Sequence, residues 1–180
     1  MRKVEVKNIE NELLNLFNTR QEEIIWCVHE RPLAFKSRLA QIDEDYCKEQ
    51  DIEICNSFNF GGTIVVDKGD INLAVTRQNG WDVGNELLQY ILDRLKNKIP
   101  NLTIDDNDLL YKNIYKLVSY ASINVGDGFI YSCWNITINP NIDRINKVCT
   151  KEMNKIPKSI SDFGVTGEEI IQIFEDWEKK

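Results

Sequence analysis

The chain has 180 residues, of which 42% are hydrophobic and 28% charged, and its formal net charge is −7. This length is typical of one globular domain, so we expect a single domain over residues 1–180 with no accessory domain. The acidic balance argues against a nucleic-acid-binding protein, whose surface would carry a basic face. The apolar runs, such as Ile64–Val66, are far shorter than the about 18 residues of a membrane span, so we expect no membrane segment.

Residue types restrict the chemistry further. The only histidine is His29, which argues against a histidine-based zinc site or a Ser-His-Asp triad. The five cysteines are not spaced as metal-binding pairs, and the N-terminus has no apolar signal core. We therefore expect free thiols and a cytoplasmic protein. Cys133 is interpreted as a small buried hydrophobic residue rather than a nucleophile.

Hydrophobic periodicity predicts the elements of the first half of the chain. Apolar residues at helical spacing predict a helix over residues 9–25. Strands are predicted at 25–29, 33–38 and 52–55, with a short charged helix at 43–50 between the last two. The β-branched segment 63–66 predicts a buried strand, residues 67–70 a hairpin turn, and residues 71–76 the returning strand.

The second half mixes helices and strands. An amphipathic helix is predicted at 83–98 and ends before Pro100. Strands are predicted at 109–114 and 116–123 on either side of Asn113, and at 129–138, followed by helices at 142–150 and 166–177. Thr166 and Glu169 form a capping box for the last helix. Because the elements do not alternate strictly, the sequence predicts an α+β fold with a mixed, mostly antiparallel sheet and packed helices.

Three segments carry an ordered set of motifs. The first is a glycine-rich strand entry, Gly61-Gly62-Thr63, followed by Asp67 and then by Gly69 and Asn72. The second is Asn107-Asp108-Leu109, with Lys116 and Ser119 in the next strand. The third, residues 134–139, is a strand that ends in Asn139. In this order the segments resemble the lipoate-protein ligase, biotin-protein ligase and octanoyltransferase superfamily over about residues 20–175.

The resemblance implies a reaction as well as a fold. A carboxylic acid would be activated with ATP as an acyl adenylate, and the acyl group would pass to a lysine of a lipoyl- or biotinyl-type carrier domain. Lys116 matches the family's catalytic lysine, whose ammonium group stabilises charge developing on the carbonyl and phosphate oxygens. Asn107 and Asp108 match the pair near the nucleotide and its Mg²⁺, an ion that prefers oxygen ligands.

The resemblance also implies a set of substrate- and nucleotide-binding residues: Gly61, Gly62, Thr63, Asp67, Asn72, Asn107, Asp108 and Ser119. Glycines allow backbone N–H groups to approach an acyl or phosphate group. Each position also has a structural interpretation. The glycines suit a tight turn, Lys116 an exposed strand position, Asp67 and Asn72 a turn, and Asn107 with Asp108 a turn or helix cap.

Two departures from the family pattern leave the function open. Residues 56–60 read Asn-Ser-Phe-Asn-Phe where the family has two arginines and a first glycine, so a phosphate-binding pair is replaced by neutral side chains. Residues 156–160 lack the octanoyltransferase cysteine, which favours a ligase-like or a degenerate protein over a transferase that uses this thiol. The alternatives are an enzyme that uses lipoate or a related acid, and a catalytically degenerate relative that binds a ligand or partner. A separate accessory subunit that completes the site is a third alternative.

Overall fold

The structure is a computed structural model that describes residues 2–5, 11–12, 15, 18, 20–37, 42–56, 62–150 and 153–177. The strands there are β1 (Arg2–Glu5), β2 (Glu23–Val28), β3 (Leu33–Phe35), β4 (Glu53–Cys55), β5 (Ile64–Val66), β6 (Ile71–Gln78), β7 (Leu102–Asp105), β8 (Asp108–Tyr111), β9 (Tyr115–Gly126), β10 (Phe129–Ile136) and β11 (Ile156–Pro157). The α-helices are α1 (Glu44–Glu49), α2 (Val83–Leu95), α3 (Ile142–Val148) and α4 (Gly167–Trp177).

The strands form two sheets. The large sheet has the order β1-β2-β6-β10-β9-β8-β7, with β11 added alongside β9. Its neighbours run antiparallel, except that β1 is parallel to β2 and β11 is parallel to β9. The small sheet has the order β4-β3-β5. The predicted α+β fold with a mostly antiparallel sheet is confirmed.

The large sheet is covered on both faces. One face, which carries Leu73 and Trp134, packs against α2 and α4 in a core that includes Ile91. The other face packs against the small sheet in a second hydrophobic cluster that includes Tyr131 and Val66. The outer face of the small sheet is closed by α1 and α3. The order of layers is therefore helices, large sheet, small sheet, helices, and the junction of the two sheets lies inside the molecule.

The segment around residues 67–70 is not the predicted hairpin. β5 pairs with β3 in the small sheet, whereas β6 lies between β2 and β10 in the large one. The first six residues of β6, starting at Ile71, are all buried. A strand buried on both faces needs cover on both sides, so β6 takes a central place instead of pairing with its chain neighbour. The turn joins the two sheets, and this prediction was wrong.

The predicted helix over residues 9–25 lies largely outside the described residues. Positions 11, 12, 15 and 18 are helical. Ile24 and Ile25, however, belong to β2, which begins at Glu23. One isoleucine faces the helices and the other faces the small sheet. Two adjacent apolar residues fit a helix or a buried strand equally well. For this reason the sequence pattern extends the predicted helix too far, into the start of β2.

Short strands at the edges were not predicted. β7 has only four residues, none of them buried, and β11 has two. β7 does alternate, with Leu102 and Ile104 packed against the core, but runs of four and two residues are too short for such a pattern to mark a strand.

The helices and one tight turn follow the predictions closely. α2 ends at Leu95, before Pro100. Thr166 caps α4 by accepting a 3.2 Å hydrogen bond from the backbone N–H of Glu169. The three-residue turn between β8 and β9 places Lys112 and Asn113 at φ 53° and 59°, in the left-handed region that tight turns between antiparallel strands use. None of the helices in the described part of the chain is long and apolar enough to cross a membrane.

Candidate functional site

A cavity of about 350 Å³ lies between the two sheets. The small-sheet side is formed by Thr63, Ile64 and Val65, and α3 contributes Ile145. The large-sheet side carries four polar side chains, and the segment before and within β11 closes another side. These lining residues are Lys116, Ser119, Asn135, Thr137, Met153, Asn154, Lys155 and Pro157. The volume falls in the range of small-molecule pockets, and one wall is polar while the facing wall is largely apolar.

A β-bulge in β9 brings two predicted site residues to the same wall. Side chains alternate along a regular strand, so Lys116 and Ser119, three residues apart, would point to opposite faces. Consecutive residues of β8 pair with Val118 and Lys116, which leaves Leu117 as an extra residue. Lys116 and Ser119 therefore both line the cavity.

Lys116 belongs to an ion-pair network at the edge of the cavity. Its Nζ lies 3.1 Å from Oδ1 of Asp108. The other carboxylate oxygen of Asp108 lies 2.9 Å from Nζ of Lys155, which is also 2.8 Å from Oδ2 of Asp105. The hydrogen bond that Lys155 donates to Asp105 raises the pKa of Lys155, and so does the one that it donates to Asp108. The cavity edge thus holds two ammonium groups joined by one carboxylate.

The sheet register places polar side chains in a row on the cavity side. Asp108 pairs with Ser119, Ser119 with Asn135, and Asn135 with Asn72. Directly opposite residues share one face of a sheet. Asn72 is only 3% exposed and its side chain is hydrogen-bonded to His29 and Asn135. This predicted binding residue lies behind the cavity wall, in contact with a residue that lines it.

Asp67 and Asp70 hold the chain between β10 and α3. The Asp67 carboxylate accepts a 2.7 Å hydrogen bond from the backbone N–H of Asn141 and pairs with Arg144. The Asp70 carboxylate accepts from the backbone N–H groups of Ile138, at 2.7 Å, and of the next residue, at 3.1 Å. These contacts match the structural interpretation of Asp67, which is not among the residues that line the cavity.

The Asp70 carboxyl group gives a testable pH dependence. Burial raises its pKa from 3.8 to about 6, although hydrogen bonds from Asn139 and Ile138 lower it. The folded state therefore binds this proton more tightly than the unfolded state does. The resulting stability is fully present below about pH 4 and is lost as the pH rises through about 6.

We expect the free energy of unfolding of the unmodified protein, relative to that of Asp70→Asn, to fall between about pH 4 and pH 7. Urea titrations of both proteins at several pH values measure this difference. A difference that grows with pH across the same window would contradict the assignment.

The remaining predicted binding residues are placed as follows. Gly61 lies outside the described residues. Gly62 is exposed, and a Cβ added there would meet nothing within 4 Å, so its described surroundings do not require a glycine. Thr63 lines the cavity, and its Oγ1 lies 3.4 Å from the backbone nitrogen of Ser37. Asn107 is exposed in the turn between β7 and β8, and its carbonyl oxygen accepts from the backbone N–H of Tyr120 at 2.9 Å.

The magnesium ligation predicted for Asn107 and Asp108 stays a prediction, and the described part of the chain shows which partners Asp108 has. Both oxygens of Asp108 contact ammonium groups, of Lys116 and Lys155, whose positive charges repel a divalent cation. Among the residues that the structure describes, no group of three or more His, Cys, Asp or Glu side chains could hold a metal ion. Mg²⁺ is considered below as part of a nucleotide substrate.

Four polar residues that line the cavity in the described part of the chain were not predicted from the sequence: Asn135, Thr137, Asn154 and Lys155. Asn135 and Thr137 are polar residues two apart within an apolar strand, and this alternation is a readable signal that one face of the strand meets a polar space. Lys155 lies just before β11 in a segment without periodicity, and no sequence signal marks it.

Cys133 is a packing residue, as the sequence predicts, but it is half-buried and not fully buried. It packs against the core between the sheets. Desolvation raises the pKa of its thiol to about 11, despite a hydrogen bond with Tyr131 that lowers it. Because the thiolate is the reactive form, a thiol with this pKa is a poor nucleophile at neutral pH.

No protein-family model matches the chain, and no curated protein matches it in sequence. Solved structures do match. A bipartite lipoate protein ligase from Thermoplasma acidophilum, analysed with its E2 lipoyl domain, gives a TM-score of 0.79 at 15% identity, over 98% of this chain and 80% of that one. A lipoate-protein ligase A bound with ATP gives 0.79 at 14% identity, over 98% and 83%. P. falciparum LipL1 in complex with lipoate gives 0.76 at 16% identity, over 99% of this chain and 59% of that one.

The similarity extends, more distantly, to biotin ligases. The biotin protein ligase from Aquifex aeolicus gives a TM-score of 0.58 at 7% identity, over 99% of this chain and 68% of that one. Identities this low establish a shared fold. The chain therefore has the fold of the lipoate-protein ligases, and the resemblance found in the sequence is confirmed at the level of the fold.

Proposed function

We propose that the chain is a lipoate-protein ligase-like protein that binds an acyl adenylate and transfers its acyl group to a lysine of a lipoyl- or biotinyl-type carrier domain. The supporting observation is the cavity between the sheets, where the β9 bulge sets Lys116 beside Ser119. Structurally similar proteins were solved with ATP, with lipoate, or analysed with a lipoyl domain. These are the three kinds of molecule that the proposed reaction brings together.

The proposed reaction has two steps. A carboxylate oxygen of lipoate or a related acid attacks the α-phosphorus of ATP, which forms the acyl–phosphate anhydride and releases pyrophosphate with its Mg²⁺. The carrier lysine amine then attacks the acyl carbon, forms an amide, loses a proton and releases AMP. Negative charge develops on oxygen atoms in both steps, so a fixed cation next to those atoms lowers both barriers.

Lys116 is the proposed catalytic residue because its ammonium group is held at the cavity edge. The ion pair with Asp108 fixes its position, and 31% of its side chain is exposed, so a ligand can reach it. A phosphate oxygen of the bound adenylate competes with Asp108 for Lys116. Lys155 remains paired with Asp105 during that exchange.

The cavity also favours an adenylate over a nucleoside triphosphate. Its two lysines face two aspartates, Asp105 and Asp108, so the described network has no net positive charge. The arginines of the family pattern are replaced by neutral residues in segment 56–60. These two observations support a second candidate function. In it, a catalytically degenerate relative binds the acyl group or its carrier but does not activate the acid with ATP.

Two assays separate these functions. ATP–pyrophosphate exchange in the presence of Mg²⁺ and lipoate, octanoate or biotin measures activation. Intact-mass analysis of an apo lipoyl domain mixed with preformed acyl adenylate measures transfer, with a carrier whose acceptor lysine is replaced by arginine as the control. We expect acid-dependent exchange and transfer. If the folded protein shows neither, the ligase proposal is wrong and the degenerate relative is favoured.

The same assays test the proposed partners. We propose a lipoyl-type carrier domain as the acceptor and a separate accessory subunit as a second partner, a two-chain arrangement that the bipartite T. acidophilum ligase illustrates. Transfer without exchange is the result expected if activation needs that subunit. We also propose that residues 1–180 act as one catalytic domain in the cytoplasm, where ATP is available.

A further inference from the structure

The side-chain amide of Asn72 has one orientation that satisfies its neighbours. Its Nδ2 lies 3.2 Å from the carbonyl oxygen of Trp134 and 3.3 Å from Oδ1 of Asn135. A carbonyl oxygen only accepts hydrogen bonds, so the atom of Asn72 that faces Trp134 must be the nitrogen. The reverse orientation would place two acceptors against each other at a residue that is 3% exposed.

The orientation of Asn72 determines which nitrogen of His29 carries the proton. Nε2 of His29 lies 2.6 Å from Oδ1 of Asn72, which only accepts, so Nε2 is the donor. The histidine is 3% exposed, and its ring packs edge-on against Phe35 with 6.1 Å between centroids. Burial lowers the pKa of His29, although the hydrogen bond to Asn72 raises it, so the ring is neutral at neutral pH.

The same reasoning orients Asn135. Because Nδ2 of Asn72 donates to Asn135, the atom it meets is Oδ1, and the Asn135 N–H₂ group faces away from Asn72. Asn135 pairs with Ser119 across the sheet, and both line the cavity. Within the described part of the chain, no residue accepts a hydrogen bond from this N–H₂ group.

We propose that Asn135 binds an oxygen atom of the acyl adenylate through its side-chain N–H₂ group, and that Asn72 and His29 are positioning residues that keep this group turned toward the cavity. The inference rests on the proposed function for the identity of the ligand. The oxygen is one of those at the acyl–phosphate linkage, which carry the charge that develops during transfer. Asn135 then supplies a neutral donor on the wall where Lys116 supplies a charged one.

The single histidine allows a test that needs no activity. In protein labelled with ¹⁵N-histidine, long-range ¹⁵N–¹H correlations report which ring nitrogen is protonated. We expect the Nε2-protonated tautomer at neutral pH. The Nδ1-protonated tautomer would make Nε2 an acceptor, reverse both amides and overturn the proposal.

Ligand binding tests Asn135 directly. The probe is octanoyl-sulfamoyl adenosine, a non-hydrolysable acyl-adenylate analogue, titrated by calorimetry. Asn135→Asp keeps an oxygen toward Asn72 but replaces the N–H₂ donor with a second carboxylate oxygen. We expect this variant to bind about 10- to 100-fold more weakly. Asn113→Asp adds the same charge at an exposed turn and is the matched control, expected to bind within about twofold of the unmodified protein.

Asn72→Asp tests the positioning step. A carboxylate at position 72 accepts from both His29 and Asn135, so the Asn135 donor turns away from the cavity. We expect weaker binding together with a raised His29 pKa in the ¹⁵N titration, a change that simple loss of packing would not produce. Unchanged affinity in Asn135→Asp would overturn this inference alone. Failure of the unmodified protein to bind the probe would overturn the proposed function, and this inference with it.

Discussion

Replacement of Lys116 by alanine is expected to lower the rate of acyl transfer by about 100- to 1000-fold, the usual cost of removing one preorganised donor from an anionic transition state. The ammonium group lies at the cavity edge, 3.1 Å from Asp108, on the wall that also carries Ser119. Single-turnover transfer from preformed acyl adenylate to an apo carrier domain measures the effect without any contribution from ATP activation.

The fold should tolerate this substitution. Lys116 is 31% exposed and its ion pair with Asp108 is near the surface, so we expect a loss of less than about 1 kcal/mol in the free energy of unfolding. Circular dichroism and a urea titration check this point. A large loss of stability would mean that any fall in rate reports on folding and not on charge.

Two further variants sharpen the result. Lys112→Ala removes a lysine from the nearby turn, where its Nζ lies over the Tyr111 ring at 5.2 Å, and should leave the rate unchanged. Lys116→Arg keeps the charge in a planar, longer group and should recover only part of the rate. Equal rates in the unmodified protein and Lys116→Ala would show that Lys116 is not the catalytic residue.

Most elements were predictable because each carries a local signal. The spacing of Leu87, Leu88 and Ile91 marks α2, and Thr166 marks the start of α4. The positions of β9 and β10 follow from apolar and aromatic runs separated by a Gly-Asp-Gly loop. What the sequence could not show is which strand pairs with which, since pairing depends on contacts distant in the chain. The turn at Asp67 has every local feature of a hairpin, yet the strands on either side enter different sheets.

Prediction of the site also requires knowledge of contacts between residues that are distant in the chain. Lys116 was identified by family resemblance, but its place beside Ser119 requires a bulge whose extra residue, Leu117, has no distinguishing chemistry. Asn72 was selected as a binding residue, whereas the structure gives it contacts behind the wall. Asn135 lines the cavity but is not predicted from the sequence. One asparagine in an apolar strand indicates a binding site only when its polar partners on the neighbouring strands are known.

Replacement of Trp134 by alanine is expected to lower the free energy of unfolding by about 3–5 kcal/mol. The side chain is fully buried against α2 and α4, and its ring stacks on Tyr120 at 5.8 Å. Tyr120 in turn donates to Oδ1 of Asn85 at 2.7 Å, and its ring packs directly on Gly84. Removing the indole therefore opens a cavity where the large sheet meets α2. Urea titration followed by far-UV circular dichroism measures the loss.

Two matched variants show whether packing causes that loss. Trp81 is 55% exposed, so Trp81→Ala should change stability by less than about 0.5 kcal/mol. The indole nitrogen of Trp134 is buried and has no hydrogen-bond partner among the described residues, so Trp134→Phe keeps an aromatic ring and removes an unsatisfied donor. Trp134→Phe should therefore lower the free energy of unfolding clearly less than Trp134→Ala does. If Trp134→Phe were as destabilising as Trp134→Ala, the indole N–H would be contributing a bond, and the packing of this core against α2 would need to be revised.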